Sequence, residues 1–282
     1  MCGAGRCQVI PAAFDYKRAG SAAEAIALLG EHGEDAKLLA GGHSLLPLMK
    51  YRLASPSILI DIGRIADLSY IREDGDNIRI GALTRHRDIE ISELLKSQVG
   101  LLPEVAGHVG DPQVRHRGTI GGSLAHGDPA SDLPSAILAL RATLVITGPN
   151  GTREVSSDDF FTGFLETAVG PDELLTEIVV RKVPNATFGF QKFNRRAQDW
   201  AIVGCSVVVD NGSCGVGLVN MDSRPVRAAG VESAIAGGAS ATDGAASAAD
   251  GCEPPTDLNA SVEYRQHLAR VLVRRALETA GK

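Results

Sequence analysis

Residues 38–50 read LLAGGHSLLPLMK, and this stretch decides how the first part of the chain folds. The apolar run at residues 36–40 predicts a buried strand, and Gly41 and Gly42 predict a bend at its end. Ser44 and the leucines after it are typical of a helix start. Successive backbone N–H groups at such a turn can bind an anion, because no side chain blocks the approach and the helix dipole favours negative charge.

The same pattern occurs a second time in residues 118–132, which read GTIGGSLAHGDPASD. Gly121 and Gly122 are followed directly by Ser123, and Thr119 supplies a hydroxyl on the other side. Two glycine turns of this kind, each followed by helix-like sequence, can hold a diphosphate between them. The alternative is that each glycine pair forms an ordinary tight turn.

Two carboxylates follow the second glycine pair, at Asp128 and Asp132. A carboxylate does not help to hold a phosphate, but it can accept hydrogen bonds from sugar hydroxyls. Asp132 also stands just before Leu133 and Pro134, where the N-cap of the next helix is expected. Both interpretations of Asp132 are open at this point.

The composition excludes several classes of function. With 282 residues, a net charge of −6 and no long basic run, the chain is predicted to bind no nucleic acid. The longest uncharged apolar run, near residues 201–209, is far too short to span a bilayer, and the N-terminus does not resemble a secretory signal. We therefore predict a soluble cytoplasmic protein with no membrane span.

Five scattered cysteines argue against a disulfide framework. Cys2 and Cys7 have the spacing of the first half of a plant-type iron–sulfur motif, but the C-x2-C continuation is absent. The histidines show no metal-binding spacing, and P-loop, Rossmann and G-x-S-x-G motifs are also missing. No metal site and no catalytic residue is predicted, which disfavours a hydrolase or a self-contained metalloenzyme.

The periodicity of the first part of the chain predicts a mixture of helices and strands. Ser21 and Glu24 form a capping box for a helix that stops at Gly33. Helices are also expected at residues 84–109 and 133–140. Strands are predicted at residues 36–40, 57–62, 77–82, 142–147, 152–155 and 174–183.

The pattern of predicted secondary structure changes after Pro184. Residues 188–193, 201–210 and 214–219 predict a small antiparallel sheet with a tight turn at residues 210–212. A helix plus loop is expected at residues 228–251, and a helix with one apolar face at residues 261–280. The whole chain is therefore predicted to be α+β, in a larger and a smaller part.

Long stretches of the sequence carry a family resemblance. They are LLAGGHSLLPLMKYRLASPSILIDIGRI at residues 38–65, IGALTRHRDIEIS at residues 80–92 and GDPQVRHRGTIGGSLAHGDPASDLPSAILAL at residues 110–140. Together they resemble the FAD-binding medium subunit of the molybdenum hydroxylases, over nearly the whole chain. Within that family, AGGHS is similar to the sequence in members that oxidise carbon monoxide, whereas many relatives have glutamine in place of His43.

This resemblance implies a fold of the type also found in vanillyl-alcohol oxidase. Residues 1–184 would form an FAD-binding domain of two α+β subdomains, at about residues 1–63 and 64–184. Residues 185–282 would form a small C-terminal flavoprotein domain with a three-stranded antiparallel sheet and helices.

The resemblance also implies which residues contact FAD. The two glycine turns would wrap the pyrophosphate, Asp132 would bind the polar chain or the ribose, and Leu174 and Lys192 would lie near the flavin. The implied cofactor-binding residues are Leu39, Ala40, Gly41, Gly42, His43, Ser44, Leu45, Val109, Thr119, Ile120, Gly121, Gly122, Ser123, Asp128, Asp132, Leu174, Lys192 and Trp200.

Four positions depart from the family pattern or have a second interpretation. Val109 replaces an aromatic residue of some relatives, and Phe190 replaces the usual tyrosine and so lacks its hydroxyl. Trp200 lies in RRAQDWA, a segment that passes close to the flavin in the family, where it can stack on the ring or pack at a domain seam. Lys192 can stabilise a reduced, anionic flavin or be an ordinary surface lysine.

The function implied is that of an FAD-carrying electron-transfer subunit of a molybdenum hydroxylase that oxidises carbon monoxide. A large subunit would carry the molybdenum–pterin cofactor and a small subunit two 2Fe–2S clusters, in a dimer of heterotrimers. Electrons would pass from the clusters through FAD to an external acceptor such as a quinone, and the complex can bring the chain to the inner face of the membrane.

Three alternatives are kept. The chain can be the flavin subunit of another molybdenum hydroxylase, whose substrate is a heterocycle, an aldehyde or an aromatic thioester. It can be a nucleotide-binding assembly module with no turnover. It can also be a self-sufficient flavin oxidase.

Overall fold

The computed structural model describes residues 10–282, so Cys2 and Cys7 lie outside the described residues. The strands are β1 (Asp15–Arg18), β2 (Ala36–Leu39), β3 (Ile58–Asp61), β4 (Ile71–Asp74), β5 (Asn77–Gly81), β6 (Thr143–Gly148), β7 (Gly151–Ser156), β8 (Phe161–Gly163), β9 (Glu166–Thr167), β10 (Leu174–Arg181), β11 (Thr187–Phe193), β12 (Val203–Asp210), β13 (Ser213–Val219) and β14 (Val226–Arg227).

The helices are α1 (Ala22–His32), α2 (Leu45–Lys50), α3 (His86–Ile91), α4 (Glu93–Gln98), α5 (Leu101–Gly107), α6 (Pro112–Arg117), α7 (Ile120–His126), α8 (Asp132–Ala139), α9 (Ser157–Phe160), α10 (Ala229–Ala236), α11 (Ala241–Ala245) and α12 (Val262–Thr279). The predicted α+β class is confirmed. None of the helices in residues 10–282 has the length and apolar character that a membrane span requires.

The first sheet is small and parallel, in the order β1-β3-β2. Its central strand pairs on both sides, so that Ile58 lies opposite Asp15 and Ala36. Helix α1 packs on it and begins as predicted, because the Ser21 hydroxyl accepts a hydrogen bond from the Glu24 amide. The glycine turn at residues 40–44 leaves the sheet at the end of β2.

The second sheet has five antiparallel strands in the order β4-β5-β10-β6-β7. It shares one core with α3, α4, α5, α7 and α8. The single helix predicted at residues 84–109 is wrong, since the structure has three short helices there. The chain breaks at Ser92, whose extended backbone and side-chain hydroxyl cap α4, and again at Val99, whose backbone is not helical.

The third sheet has four antiparallel strands, β11-β12-β13-β14, one more than predicted. Strand β14 has two residues, too few for a periodic pattern, and pairs with β13. The predicted turn between β12 and β13 is confirmed, with positive φ angles of 48° at Asn211 and 81° at Gly212. Helices α10, α11 and α12 share a core with this sheet.

Helix α8 joins the second and third sheets, and every one of its residues is buried. A Cβ atom on Gly217 of β13 would lie 2.0 Å from the Ser135 carbonyl oxygen, so only glycine allows this approach. The Ser135 and Ser206 hydroxyls are 2.7 Å apart in the same contact. The first residue of α8, Asp132, is thereby placed beside β11.

Candidate functional site

The first glycine turn, residues 40–44, presents unused backbone amides. The amides of Gly41, Gly42, His43 and Ser44 donate to no acceptor within the described part of the chain. Gly42 has a φ of +77°, in the left-handed region that favours glycine, and its carbonyl accepts from the Leu46 amide at 3.1 Å. The turn therefore offers donors to a ligand in the way that an anion-binding turn requires.

The two glycine stretches of the sequence lie side by side. A Cβ atom on Gly41 would lie 2.5 Å from the Arg117 carbonyl oxygen and 2.9 Å from the Gly118 Cα atom. A Cβ atom on Gly122 would lie 3.9 Å from that of Ala40. The backbone at residues 40–41 thus faces the segment that leads into α7.

The second stretch is the first turn of α7 rather than a loop, and its amides are occupied. The Ile120 amide donates to the Thr84 carbonyl at 3.0 Å, and the Gly121 amide to the Ala82 carbonyl at 2.8 Å. The Gly122 amide donates to the hydroxyl of Thr119, which caps the helix, at 3.1 Å. The prediction of a second turn with free amides is therefore wrong.

Gly121 has a packing role instead, since a Cβ atom there would lie 2.5 Å from the Cβ atom of Ala82. What α7 can offer a ligand is the half-exposed hydroxyl of Ser123.

Arg85 and His86 contact the segment that leads into α7, and sequence reasoning missed both. The Arg85 guanidinium donates to the Arg117 carbonyl and, at 3.3 Å, to the Gly63 carbonyl. Burial, and then the charge of Arg117, lowers the pKa of Arg85. His86 is 4% exposed, and burial lowers its pKa to about 4, so its ring is neutral.

The His86 ring lies against Gly118, where a Cβ atom would come within 2.7 Å of it. Arg85 and Arg117 are separated by 32 positions, and no local pattern predicts such a contact.

Asp132 at the start of α8 and Lys192 on β11 form a buried ion pair. The Asp132 Oδ2 and Lys192 Nζ atoms are 2.7 Å apart, and the two side chains are 6% and 8% exposed. Lys192 Nζ also donates to the His108 carbonyl at 3.3 Å. Burial raises the pKa of Asp132, and the charge of Lys192 opposes that rise. The interpretation of Lys192 as a surface lysine is wrong.

The prediction of Asp132 as an N-cap is also wrong. Ser131 occupies the cap position with an extended backbone, and Asp132 is the first helical residue. Its carboxylate is drawn to Lys192, and its Oδ1 atom is buried without a hydrogen-bond partner among residues 10–282. A buried carboxylate oxygen without a donor has unused capacity to accept a hydrogen bond.

The other residues discussed for the cofactor lie in different parts of the structure. Val109 is half-buried after α5, and its carbonyl accepts from Arg115 at 3.2 Å. Leu174 is buried at the start of β10 and packs in the core of the first sheet. The Phe190 ring centroid lies 5.1 Å from that of His108.

Trp200 is 57% exposed, so it is not packed in a core at a domain seam. It lines a cleft of about 510 Å³ between residues 128–130 and the β11–β12 connection. Asp128 lies in the same cleft, and its Oδ1 atom accepts from the Ala130 amide at 2.8 Å. Arg265, fully buried on α12, donates to the Ile202 carbonyl and so holds the connection that carries Trp200.

These groups fit a dinucleotide such as FAD. The free amides of residues 41–44 and the Ser44 and Ser123 hydroxyls suit a diphosphate, and the orphaned Asp132 oxygen suits a sugar or polyol hydroxyl. An aromatic side chain beside a cleft suits a planar ring. Among residues 10–282 no cluster of His, Cys, Asp and Glu side chains forms a metal site.

Comparison with known proteins agrees with a site for FAD. Residues 12–183 match the FAD binding domain in molybdopterin dehydrogenase, and residues 188–280 match the CO dehydrogenase flavoprotein C-terminal domain. The carbon monoxide dehydrogenase medium chain of Hydrogenophaga pseudoflava is 42% identical, over 96% of this chain and 98% of that protein. Subunit alpha of the 6-hydroxypseudooxynicotine dehydrogenase complex of Paenarthrobacter nicotinovorans is 35% identical, over 96% and 95%.

A solved structure is similar over the same length. It is the carbon monoxide dehydrogenase of Hydrogenophaga pseudoflava that lacks the Mo-pyranopterin moiety of the molybdenum cofactor. Its matching chain superposes with a TM-score of 0.93 at 42% identity, covering 96% of this chain and 98% of that one. The chain therefore belongs to the family of FAD-binding oxidoreductase subunits of the molybdopterin dehydrogenases, in which it is similar to carbon monoxide dehydrogenase medium chains.

Proposed function

We propose that this chain is the FAD-carrying electron-transfer subunit of a molybdenum hydroxylase that oxidises carbon monoxide. The observation that carries the proposal is the turn at residues 41–44, whose amides have no acceptor among residues 10–282 and which lies beside the segment before α7. It occurs in a chain that matches a carbon monoxide dehydrogenase medium chain over 96% of its length. His43 supports this choice of substrate only weakly, because it is a single position.

The chain's own residues would bind and orient the cofactor. The amides of residues 41–44 and the Ser123 hydroxyl donate to the pyrophosphate. Leu39 lies at the start of the first of these segments, and Thr119 at the start of the second. Asp132 accepts a hydrogen bond from a hydroxyl of the polar chain, and Trp200 supplies an aromatic face beside the cleft. FAD, when bound, supplies the redox chemistry, and the protein supplies its placement and electrostatics.

The partners follow from the kind of relative that the chain matches. A medium chain belongs to a complex with other chains, so we assign substrate oxidation to a large subunit with the molybdenum–pterin cofactor. A small subunit would carry two 2Fe–2S clusters and pass electrons to this chain, in a dimer of heterotrimers. An external acceptor such as a quinone would receive the electrons from this chain, in the cytoplasm or at the inner face of the membrane.

A second candidate is the flavin subunit of a hydroxylase with another substrate. It is favoured by the 35% identity to a subunit of a dehydrogenase complex whose named substrate is 6-hydroxypseudooxynicotine. The substrate site of such a complex lies on another subunit, so the residues of this chain do not separate the two candidates. An assembly module without turnover and a self-sufficient flavin oxidase are the remaining alternatives.

One set of assays separates these candidates. The chain is co-expressed with the large molybdenum and small iron–sulfur subunits proposed above, and the purified complex is mixed with carbon monoxide and a quinone analogue. We expect carbon monoxide to bleach the flavin absorbance and the quinone analogue to restore it. Bleaching by a heterocycle or an aldehyde but not by carbon monoxide would favour the second candidate.

The isolated chain is the control in these assays. Bleaching of the isolated chain by a substrate, with no partner present, would identify a self-sufficient oxidase. A complex that forms but contains no flavin would identify an assembly module.

A further inference from the structure

Three large apolar side chains are exposed together near the start of α12. Leu258 is fully exposed, Tyr264 is 44% exposed, and Phe193 at the end of β11 is 38% exposed. The ring centroids of Phe193 and Tyr264 are 6.5 Å apart, edge to face. Arg195 donates to the side chain of Asn259, the neighbour of Leu258, at 2.9 Å. The three apolar side chains therefore belong to one surface, which we call the α12 patch.

The turn that carries Leu258 is fixed by hydrogen bonds. The Asp257 Oδ1 atom accepts from the Asn259 amide at 2.8 Å and from the Ala260 amide at 3.0 Å. The Asp257 Oδ2 atom pairs at 2.8 Å with Arg265, which is fully buried. A leucine at the tip of such a turn adds nothing to the core of the chain. It is preorganised to fill a pocket on a partner, because little freedom is lost on binding.

The α12 patch borders the cleft beside Trp200, since Arg195 and Asn259 line that cleft too. Acidic side chains outnumber basic ones around the cleft. They are Asp128, Asp199, Asp222, Glu253 and Asp257, against Arg195 and Arg265. A partner that covers the patch and the rim of the cleft therefore needs an apolar pocket surrounded by Lys and Arg side chains.

This charge decides which kind of partner fits the patch. A second copy of the chain would bring two acidic clefts together, and their like charges would repel. The cytoplasmic leaflet of a membrane is anionic and repels an acidic surface as well. Of the subunits proposed above, the iron–sulfur subunit delivers electrons to this chain. It therefore has to lie beside the cleft that suits the planar ring of the cofactor.

We propose that the α12 patch docks the iron–sulfur subunit, with Leu258 inserted into an apolar pocket of that subunit and the acidic rim of the cleft facing its Lys and Arg side chains. This inference rests on the proposed function. It gives a binding role to Phe193, Leu258 and Tyr264, which are not among the residues implied to contact FAD.

The test measures how tightly the full-length chain binds a preformed complex of the molybdenum and iron–sulfur subunits. The variant is Leu258→Asp, which would place a charge in the apolar pocket. Leu53→Asp is the matched control, because Leu53 is also an exposed leucine, at 75%, and follows α2 in the first part of the chain. Both variants should keep the melting temperature of the wild type, since neither side chain is buried.

For Leu258→Asp we expect the affinity to fall by about thirtyfold or more, as for the loss of an interface anchor. Leu53→Asp should bind as the wild type does. Added salt should weaken binding of the wild type, because the acidic rim faces basic side chains. Wild-type affinity in Leu258→Asp, or an equal loss in Leu53→Asp, would overturn the inference.

Photo-cross-linking identifies the occupant of the patch. A photo-reactive side chain is placed at position 258, and the assembled complex is irradiated. We expect a cross-link to the iron–sulfur subunit. A cross-link to the large subunit or to a second copy of this chain, or a complex without any cross-link from this position, would overturn the inference.

The wild-type chain separates this inference from the proposed function. A wild-type chain that binds neither proposed subunit would remove both. A wild-type chain that assembles and carries FAD, with a variant or a cross-link that behaves in any of the contrary ways above, would remove the inference alone.

Discussion

At the scale of single residues, the candidate site depends on the backbone amides of residues 41–44, which no side chain covers. Gly42 keeps the turn open because its left-handed φ of +77° is strained for any other residue type, whereas Gly41 is required by the close approach of residues 117–118. Gly121, which looks equivalent in the sequence, is needed for packing against Ala82. The two glycine pairs therefore differ in what a substitution would do.

Gly42→Val should abolish stoichiometric FAD binding, because the added side chain reshapes the turn that carries the free amides. The left-handed backbone costs valine about 1–2 kcal/mol of stability. Gly75→Val is the matched control, since Gly75 also has a positive φ, of 55°, and nothing lies within 4 Å of its Cβ position. The measurement is the flavin content of each purified variant, with its melting temperature.

Gly75→Val should lose a similar amount of stability and keep its FAD. Full FAD content in Gly42→Val would contradict the assignment of the turn at residues 41–44.

His86 should make stability depend on pH. Burial holds its folded-state pKa at about 4, below the ordinary value of 6.5, so the unfolded chain takes up a proton that the folded chain does not. The contribution of His86 is therefore present above pH 6.5 and is lost as the pH falls towards 4. Between neutral pH and about pH 5 the loss amounts to about 2 kcal/mol.

Urea denaturation at the two pH values checks this expectation. His86→Gln should lose less stability on acidification than the wild type, whereas His267→Gln, at an exposed position on α12, should follow the wild type. Equal pH dependence in His86→Gln and the wild type would show that His86 is not the titrating group.

At the scale of secondary-structure elements, α8 determines how the cofactor residues meet. It packs on β13 through Gly215 and Gly217, it carries Asp132 at its first position, and its Ser135 hydroxyl contacts that of Ser206 on β12. Residues 128–130, which precede α8, line the cleft beside Trp200. A displacement of α8 would therefore separate Asp132 from Lys192.

Gly217→Ala should displace α8, because the new Cβ atom would lie 2.0 Å from the Ser135 carbonyl oxygen. Overpacking of this kind costs about 1–3 kcal/mol. Gly30→Ala is the control, since Gly30 lies within α1 and has nothing within 4 Å of its Cβ position. Denaturant unfolding should show a loss for Gly217→Ala and a small gain for Gly30→Ala.

FAD affinity should fall in Gly217→Ala together with stability. If Gly217→Ala is as stable as the wild type, β13 and α8 can move apart at no cost in stability. That result would contradict the close packing of Gly217 against Ser135.

At the scale of the whole molecule, patterns of local origin could be predicted and contacts between distant residues could not. The nine predicted strands, the Ser21 cap and the turn at Asn211 follow from periodicity and turn chemistry, which act over a few residues, whereas the short strands β1, β4, β8, β9 and β14 were not predicted. The pairing of Asp132 with Lys192, 60 positions later, and the use of the Gly121 amide by Ala82 depend on how the sheets pack.

The family resemblance implied most of the site residues, and the geometry changed what several of them do. Asp132 is not a cap, Lys192 is not free, and the amides at the start of α7 are already used.

The most direct test of the central claim is the flavin content of the chain purified together with its co-expressed partners. Protein is denatured, the released flavin is identified and its amount is divided by the amount of the chain. The account predicts FAD at one molecule per chain, and near zero when Gly42→Val replaces the wild type. A wild-type complex that forms with all its subunits and releases no FAD would contradict it.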